Sequence, residues 1–231
     1  MIRKGLLLSL IPLAVIAAMG AWGYLTADPG GRFPVHWGLD GRPDHFSGRA
    51  GAFIGLPAVA FAVTVAMAVF PTLDTRGDNI RRSSQAYLTA WIGALSLLAL
   101  VQTAVTMMAL GVWDAGPDAP FHRLIAVAVS LLLVAIGNVL GKSRPNWFMG
   151  LRTPWTLSSD LAWERTHRLT GRLVVIVGLA GLAAAVVLPS GKAAVGLSCG
   201  VIATAMIGVV YSYIVWRRAA DKRTGPQVVD S

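Results

Sequence analysis

Two acids and one histidine have a spacing that could bring them together in a metal-binding or catalytic site. Asp160, Glu164 and His167 follow an i, i+4, i+7 pattern, which predicts that all three share one face of a helix. Carboxylate and imidazole groups are metal ligands and acid/base catalysts, so the trio is a candidate metal site or catalytic pair. The alternative is structural, because acids on a hydrated helix face commonly form ion pairs, here with Arg165 and Arg168.

A second set of ionisable residues lies in the segment 26–50, which is rich in Gly, Pro and aromatic residues. Its histidines and central acids are His36, Asp40, Asp44 and His45. These types could bind a divalent cation or a cationic partner, but their spacing matches no recognised ligand set. The alternative is a loop structured by turns, in which Asp side chains stabilise the turns and aromatic side chains rest at a membrane interface. Either arrangement presents charged and aromatic groups to a partner such as a peptide.

The segment RPNWFMGLRTPWT, residues 144–156, concentrates cationic, amide and aromatic side chains among turn-forming residues. They are Arg144, Asn146, Trp147, Arg152 and Trp155. Guanidinium and amide groups can grip a carboxylate, a phosphate or a protein loop with directional hydrogen bonds. The simpler interpretation is that the tryptophans belong to an interfacial aromatic belt and the arginines contact lipid phosphates.

The elements that position these residues follow from hydropathy. The chain is 55% hydrophobic and 13% charged, with a mean hydropathy of +0.63, whereas soluble domains contain about 25% charged residues. Long uncharged runs favour helices over a β-barrel, since every backbone polar group in a bilayer needs an internal partner. We predict an all-α, polytopic bundle of six transmembrane helices forming a single membrane domain, 1–231. The predicted spans are 5–25, 51–70, 88–110, 124–140, 173–191 and 193–215.

Charge distribution predicts the orientation of the spans, because cationic segments resist translocation. Most Lys and Arg residues fall before the first span, in 71–87 and 141–172, and in the tail with Arg217, Arg218, Lys222 and Arg223. The opposite side holds only Arg32, Arg42, Arg49, Arg123 and Lys192. The sequence therefore predicts that both termini are cytoplasmic, that 26–50 is an extracytoplasmic loop and that 141–172 is a cytoplasmic cap. The formal net charge of +9 then reflects topology and anionic lipid rather than direct nucleic-acid binding.

Within the cap, prolines and a capping signal place one short helix. Pro145 and Pro154 interrupt helices, and the pair Ser158 and Ser159 followed by Asp160 is typical of a helix N-terminus. We expect an interfacial helix over about 160–170 that leads into the fifth span. Polar residues inside the spans, Asn138, Gln102, Thr103 and Thr106, are expected to face one another or a neighbouring helix.

The two polar segments together carry a resemblance. PVHWGLDGRPDHFS, Pro34 to Ser47, resembles the N-terminal domain of unknown function found in the SdpI family of bacterial membrane proteins, except that Gly38 stands where that family usually has Asn. The stretch from Gly137 to Arg172 resembles the signature of that family around the fourth and fifth spans. The signature maps onto Asn138, Arg144, Pro145, Asn146, Gly150, Arg152, Thr153, Pro154, Trp155, Thr156, Trp163, His167 and Arg168.

The resemblance implies a protein of the bacterial cytoplasmic membrane that protects its host from a secreted peptide toxin. The resemblance also implies, for some members of the family, signalling in which the protein holds a transcriptional repressor at the membrane. The toxin would meet the outer loop at Pro34, His36, Trp37 and Asp44. A partner inside would meet the cap at Asn138, Arg144, Asn146, Arg152, Thr153, Trp155, Trp163, His167 and Arg168. No cofactor is implied.

Two rival functions remain at this point. The first is a membrane enzyme that uses His167 with Asp160 or Glu164 near the inner surface. The second is a small-molecule transporter. The absence of a charged residue in the middle of any predicted span disfavours it, because ion-coupled transporters usually place one there.

Overall fold

The structure, a computed structural model, describes residues 1–38, 40–116 and 119–222; Arg223, assigned above to the cationic tail, lies outside this part. The elements follow in the order α1 (Ile2–Thr26), β1 (Phe33–Trp37), β2 (Pro43–Ser47), α2 (Arg49–Leu73), α3 (Gly77–Arg82), α4 (Ser84–Ala109), α5 (Pro120–Leu140), α6 (Pro154–Leu157), α7 (Asp160–Val187) and α8 (Ser190–Arg218).

The predicted all-α membrane bundle is confirmed. Within the described residues, six helices are long and apolar enough to cross a bilayer: α1, α2, α4, α5, α7 and α8. Their outer faces present large apolar side chains, with Ile11 73% exposed, Val187 74% exposed and Leu25 78% exposed. Apolar surface on this scale requires a hydrocarbon solvent rather than water.

The bundle consists of two groups of three helices. The helices α1, α2 and α4 pack on one another, as do α5, α7 and α8, and α4 against α5 forms the main contact between the groups. The first group surrounds a core that contains Ile16, Tyr87 and Trp91. In the second group, the backbones of α5 and α7 touch at Gly137 and Gly171, where a Cβ on either residue would overlap the carbonyl oxygen of the other. Such close crossings of small residues are common between membrane helices.

Helix α7 differs from the short interfacial helix expected over about 160–170. It begins at Asp160, with the Ser159 hydroxyl accepting a hydrogen bond from the Ala162 N–H at 3.0 Å, as the capping signal indicates. It does not end near Thr170, because 171–173 contains no proline and the adjacent Gly171 lies buried against α5. One helix therefore runs without interruption from the cap to Val187.

The polar residues of the spans are divided between two environments. Gln102 and Thr106 are fully buried, and they bond to each other at 3.3 Å and to the carbonyl oxygens of Ala52 and Met19 on α2 and α1. These bonds join the three helices of the first group, as expected of polar residues in a bilayer. Asn138 differs from the expectation, since its side chain is exposed beside α7 and bonds to no neighbouring helix in the part of the chain that the structure describes.

Candidate functional site

The segment 141–159 is a folded loop whose shape depends on Asn146. This side chain is fully buried. Its Nδ2 donates to the Arg144 carbonyl at 2.8 Å, and its Oδ1 accepts from the backbone N–H groups of Phe148 at 3.0 Å and Met149 at 2.7 Å. An amide supplies both a donor and an acceptor, so one side chain satisfies three backbone groups and closes the turn.

The loop is attached to the first helix group by three side chains that follow α2. The Asp74 carboxylate, only 8% exposed, accepts from the N–H of Trp147 at 2.9 Å and from that of Arg76 at 2.7 Å. The Asn79 amide donates to the Pro145 carbonyl at 2.8 Å, and the Ser83 hydroxyl accepts from the Arg144 N–H at 2.8 Å. A buried carboxylate is tolerated only where hydrogen bonds compensate for lost water, which these backbone groups do for Asp74.

The other side of the loop is attached to α7 by His167 and Trp163. The two rings stack with centroids 4.0 Å apart, and the indole Nε1 donates to the Ser143 carbonyl at 3.0 Å. Nε2 of His167 accepts from the Leu151 N–H at 3.0 Å, which leaves Nδ1 as the protonated nitrogen that donates to the Trp163 carbonyl at 2.9 Å. Gly150 lies directly over the imidazole with φ of +88°, where a Cβ would overlap Nε2. Glycine is required here for both reasons.

The loop also contacts α8 through a threonine pair. Thr153 and Thr156 form a capping box around α6, each hydroxyl accepting from the backbone N–H of the other residue. Thr153 Oγ1 also lies 3.1 Å from Ser212 Oγ on α8. The loop therefore contacts helices of both groups across one end of the bundle.

Beyond α8, Asp221 caps the start of α7. Its carboxylate accepts from the Ser159 hydroxyl at 2.6 Å and from the Leu161 N–H at 3.0 Å. Partial burial acts to raise the pKa of Asp221, but these hydrogen bonds outweigh it and hold that pKa below the usual value. An anion at a helix N-terminus is favourable in any case.

We predict that the capping of the α7 N-terminus by Asp221 depends on pH. Because the folded-state pKa of Asp221 is lowered, its stabilising contribution is complete above the ordinary Asp value of about 3.9 and is lost as pH falls through the folded value. Protection factors of the Leu161 and Ala162 amides, measured by hydrogen exchange, should fall in that acidic range. Asp221→Asn should lower them at neutral pH and abolish the acid transition. The same acid transition in both proteins would contradict the assignment.

The structure separates the predicted cap residues into two kinds. Asn146, Thr153, Trp163 and His167 are buried and hold the loop in place. Arg144, Arg152 and Arg168 are exposed, and Trp155 is half-buried against Tyr213. Arg152 also has a local role, since its Nη1 donates to the Trp147 carbonyl at 2.6 Å. Only the exposed members are available to a partner. Asn138 is also exposed, and it lies with Arg168 in a groove between α5 and α7.

The candidate metal ligands are not brought together. Glu164 is exposed and pairs with Arg168 at 3.2 Å, Asp160 is exposed at the helix start, and His167 is buried beneath Gly150. Both imidazole nitrogens of His167 are engaged with backbone groups, so neither is free to ligate an ion or relay a proton. The described residues contain no group of three metal-ligating side chains.

At the opposite end of the bundle, the segment 26–50 forms a β-hairpin. β1 and β2 pair in antiparallel fashion, with Gly41 in the turn at φ of +76°. Phe33 packs on Phe53 with ring centroids 5.2 Å apart. The sequence predicted turns and interfacial aromatic residues but not these strands, because Pro34 and Pro43 at their ends are untypical of a sheet. On the exposed surface His36 Nδ1 and Asp44 Oδ1 are 2.6 Å apart.

The hairpin covers a pocket of about 410 Å³. Trp37 holds it there, packing on Phe121 with centroids 5.1 Å apart and donating to the Ala115 carbonyl at 3.3 Å. The walls come from α4, α5 and the start of α8, so the pocket lies between the two helix groups. Its lining is mainly apolar, with two imidazoles, and comprises Val35, His36, Trp37, Gly38, Gly41, Val101, Phe121, His122, Ile125, Ala126, Val129, Gly191, Ala194, Leu197 and Ser198.

Sequence reasoning missed several residues of these sites. Asp74, Asn79 and Ser83 lie in the segment 71–87, where the sequence analysis considered only the cations, and Asp221 lies in the tail. Their partners are backbone groups about 60 to 70 positions away in the chain. The one available signal is Asp74 itself, an acid placed directly after a long apolar run on the cationic side of the bundle.

Comparison with known proteins agrees with the signature. Residues 142–212, which contain most of the loop, α7 and most of α8, match the SdpI/YfhL protein family. The chain is 25% identical over 141 residues to the "Immunity protein SdpI" of Bacillus subtilis (strain 168), an alignment that covers 59% of this chain. The alignment spans 65% of that relative, a little under two thirds of its length. No solved structure matches.

Proposed function

We propose, from the premise that this chain belongs to the SdpI/YfhL family of multi-pass bacterial membrane proteins, that it protects its host cell from an extracellular peptide toxin. The observation that carries the proposal is the 25% identity over 141 residues to an immunity protein, together with the family match over residues 142–212. The geometry supports a receptor-like role. The buried side chains of Asn146 and His167 bond to backbone groups of the loop, which supports a structural role for these two residues.

We place the toxin contact at the pocket beneath the hairpin. With both termini in the cytoplasm, as the Lys and Arg distribution favours, this pocket opens to the outside. Its apolar walls and the aromatic ring of Trp37 suit an apolar peptide side chain, and the His36–Asp44 pair at its rim offers polar contacts. Aromatic residues beside a partly open pocket are typical binding hot spots.

Signalling through a transcriptional repressor is the second role that we propose. It is supported by the exposed cations Arg144 and Arg152 of the loop and by the half-exposed Trp147, whose ring centroid lies 5.9 Å from the Arg76 guanidinium. This role requires that a DNA-binding protein is recruited to the membrane only in cells that contain the chain.

Filling the pocket should remove protection. Ala194 lines the pocket, whereas the adjacent Val195, also exposed, does not. We expect Ala194→Trp to lower the tolerated toxin concentration about tenfold or more, the change that a loss of ~1.4 kcal/mol of binding produces. Val195→Trp adds a ring on the same helix turn and should leave tolerance unchanged.

The measurement is growth of a deletion strain complemented with each variant and challenged with culture supernatants of neighbouring bacteria. Membrane abundance of both variants is checked by immunoblot. If the deletion strain tolerates every supernatant as well as the parent, the immunity role is wrong. If deletion sensitises the cells but Ala194→Trp protects fully, only the location of the contact is wrong.

A further inference from the structure

A groove of about 600 Å³ lies between the end of α5 and the middle part of α7. It is separate from the pocket beneath the hairpin and lies at the opposite end of the bundle. Its lining residues are Gly137, Asn138, Gly141, Lys142, Arg168, Gly171, Arg172, Val175 and Ile176.

The floor of the groove is backbone. Gly137 and Gly171 bring α5 and α7 into direct contact, and a Cβ on Gly141 would press against the backbone of Arg168. Because three small residues occur where larger side chains would otherwise fill the surface, a depression remains between the two helices.

Polarity changes along the length of the groove. Lys142, Arg168 and Arg172 surround the end nearest the loop, together with the Asn138 amide, and Val175 and Ile176 line the deeper end. Ile176 is 59% exposed and lies eight residues beyond Arg168, about 12 Å along the helix. This order is complementary to an anionic phospholipid, whose negatively charged phosphate lies at the membrane surface and whose apolar acyl chains extend towards the membrane centre.

The cationic end has an excess of positive charge. Arg168 pairs with Glu164 at 3.2 Å. The side chains of Asn138, Lys142 and Arg172 make no hydrogen bond or ion pair with any residue in the described ranges. Two neighbouring cations and one amide are therefore available to an anion, in the leaflet on the same side as the loop.

We propose that this groove binds one anionic phospholipid. Its headgroup phosphate is held by Lys142, Arg172 and Asn138, and one acyl chain lies over Gly171, Val175 and Ile176. Lys and Arg side chains are strong phosphate ligands when they converge, and a general attraction of cations to the membrane surface requires no groove. The lipid bridges α5 and α7 where they meet the loop.

The test uses the full chain purified in detergent and titrated with phosphatidylglycerol in native mass spectrometry. Lys142→Gln/Arg172→Gln should weaken binding about 25-fold, at ~fivefold for each cation near an anionic surface. Arg217→Gln/Arg218→Gln removes two exposed cations of α8 that lie at the same end but outside the groove, and it should bind as the parent does. Lys142→Arg/Arg172→Lys keeps both charges and should retain most of the binding, even if the neutral variant folds poorly.

Two further ligands identify what is bound. Phosphatidylcholine, with the same acyl chains and no net charge, should bind more weakly than phosphatidylglycerol. Glycerophosphoglycerol, which has the headgroup but no acyl chains, should not compete. Equal phosphatidylglycerol affinity in the parent and the neutral variant would overturn the proposal, as would competition by glycerophosphoglycerol at concentrations similar to those of the lipid.

Discussion

Asp74→Ala is expected to lower the free energy of unfolding by about 3 kcal/mol, since it leaves the N–H groups of Trp147 and Arg76 without their acceptor. A buried polar group that loses its partner costs roughly 1–3 kcal/mol. One of the two bonds connects the end of α2 to the loop 141–159, so the loop should loosen from the first helix group. Unfolding in mixed detergent micelles measures the stability, and limited proteolysis reports the exposure of the loop.

Asp78→Ala is the matched control for this change. Asp78 is also an aspartate that follows α2, but its side chain is 86% exposed and its ion pair with Arg81 is long, at 3.9 Å. Such surface pairs contribute little, so this variant should stay within about 0.5 kcal/mol of the parent. Equal destabilisation by the two substitutions would mean that Asp74 does not act through the loop.

His167→Ala is expected to cost about 3 kcal/mol as well. The imidazole is fully buried, and its removal leaves a cavity beneath Gly150, ends the stacking on Trp163 and orphans the Leu151 N–H. Large-to-small changes in a core cost about 2–5 kcal/mol. The same unfolding assay applies, and tryptophan fluorescence should shift because water gains access to Trp163.

Glu164→Ala provides the comparison for His167, because Glu164 lies on the same helix, is exposed and, among residues 1–38, 40–116 and 119–222, pairs only with Arg168. It should change stability by less than about 0.5 kcal/mol. The pair of variants also separates a structural role from a chemical one. If His167→Ala abolished function with an unchanged free energy of unfolding, the imidazole would have a chemical role instead of the structural role assigned here.

Hydropathy was sufficient to predict the fold because a bilayer imposes one dominant requirement on the chain. A segment without charged residues that is long enough to cross hydrocarbon must satisfy its own backbone, and each of the six such runs forms a helix. Local capping chemistry also predicted the start of α7 at Asp160, because Ser159 satisfies a backbone donor in its own helix. Both inferences depend on residues that are close in sequence.

The loop could not be predicted to the same depth, because its partners are distant in the chain. Nothing near Asp74 indicates that it accepts from Trp147, and the burial of His167 depends on Gly150 folding over it. The i, i+4, i+7 spacing correctly places Asp160, Glu164 and His167 along one side of α7. It does not reveal that the neighbouring loop covers the last of them and leaves the first two exposed.

The continuity of α7 has a mechanical consequence. A helix of 28 residues is about 42 Å long, and it can act as a lever when it is held near its middle, here by the close contact of Gly178 with α5. His167 lies eleven residues before Gly178, about 16 Å along the helix. A tilt of about 10° about Gly178 would displace His167 by roughly 3 Å, comparable to the length of the hydrogen bond that it accepts. Movement of the far end of α7 would therefore break the bond between Leu151 and His167.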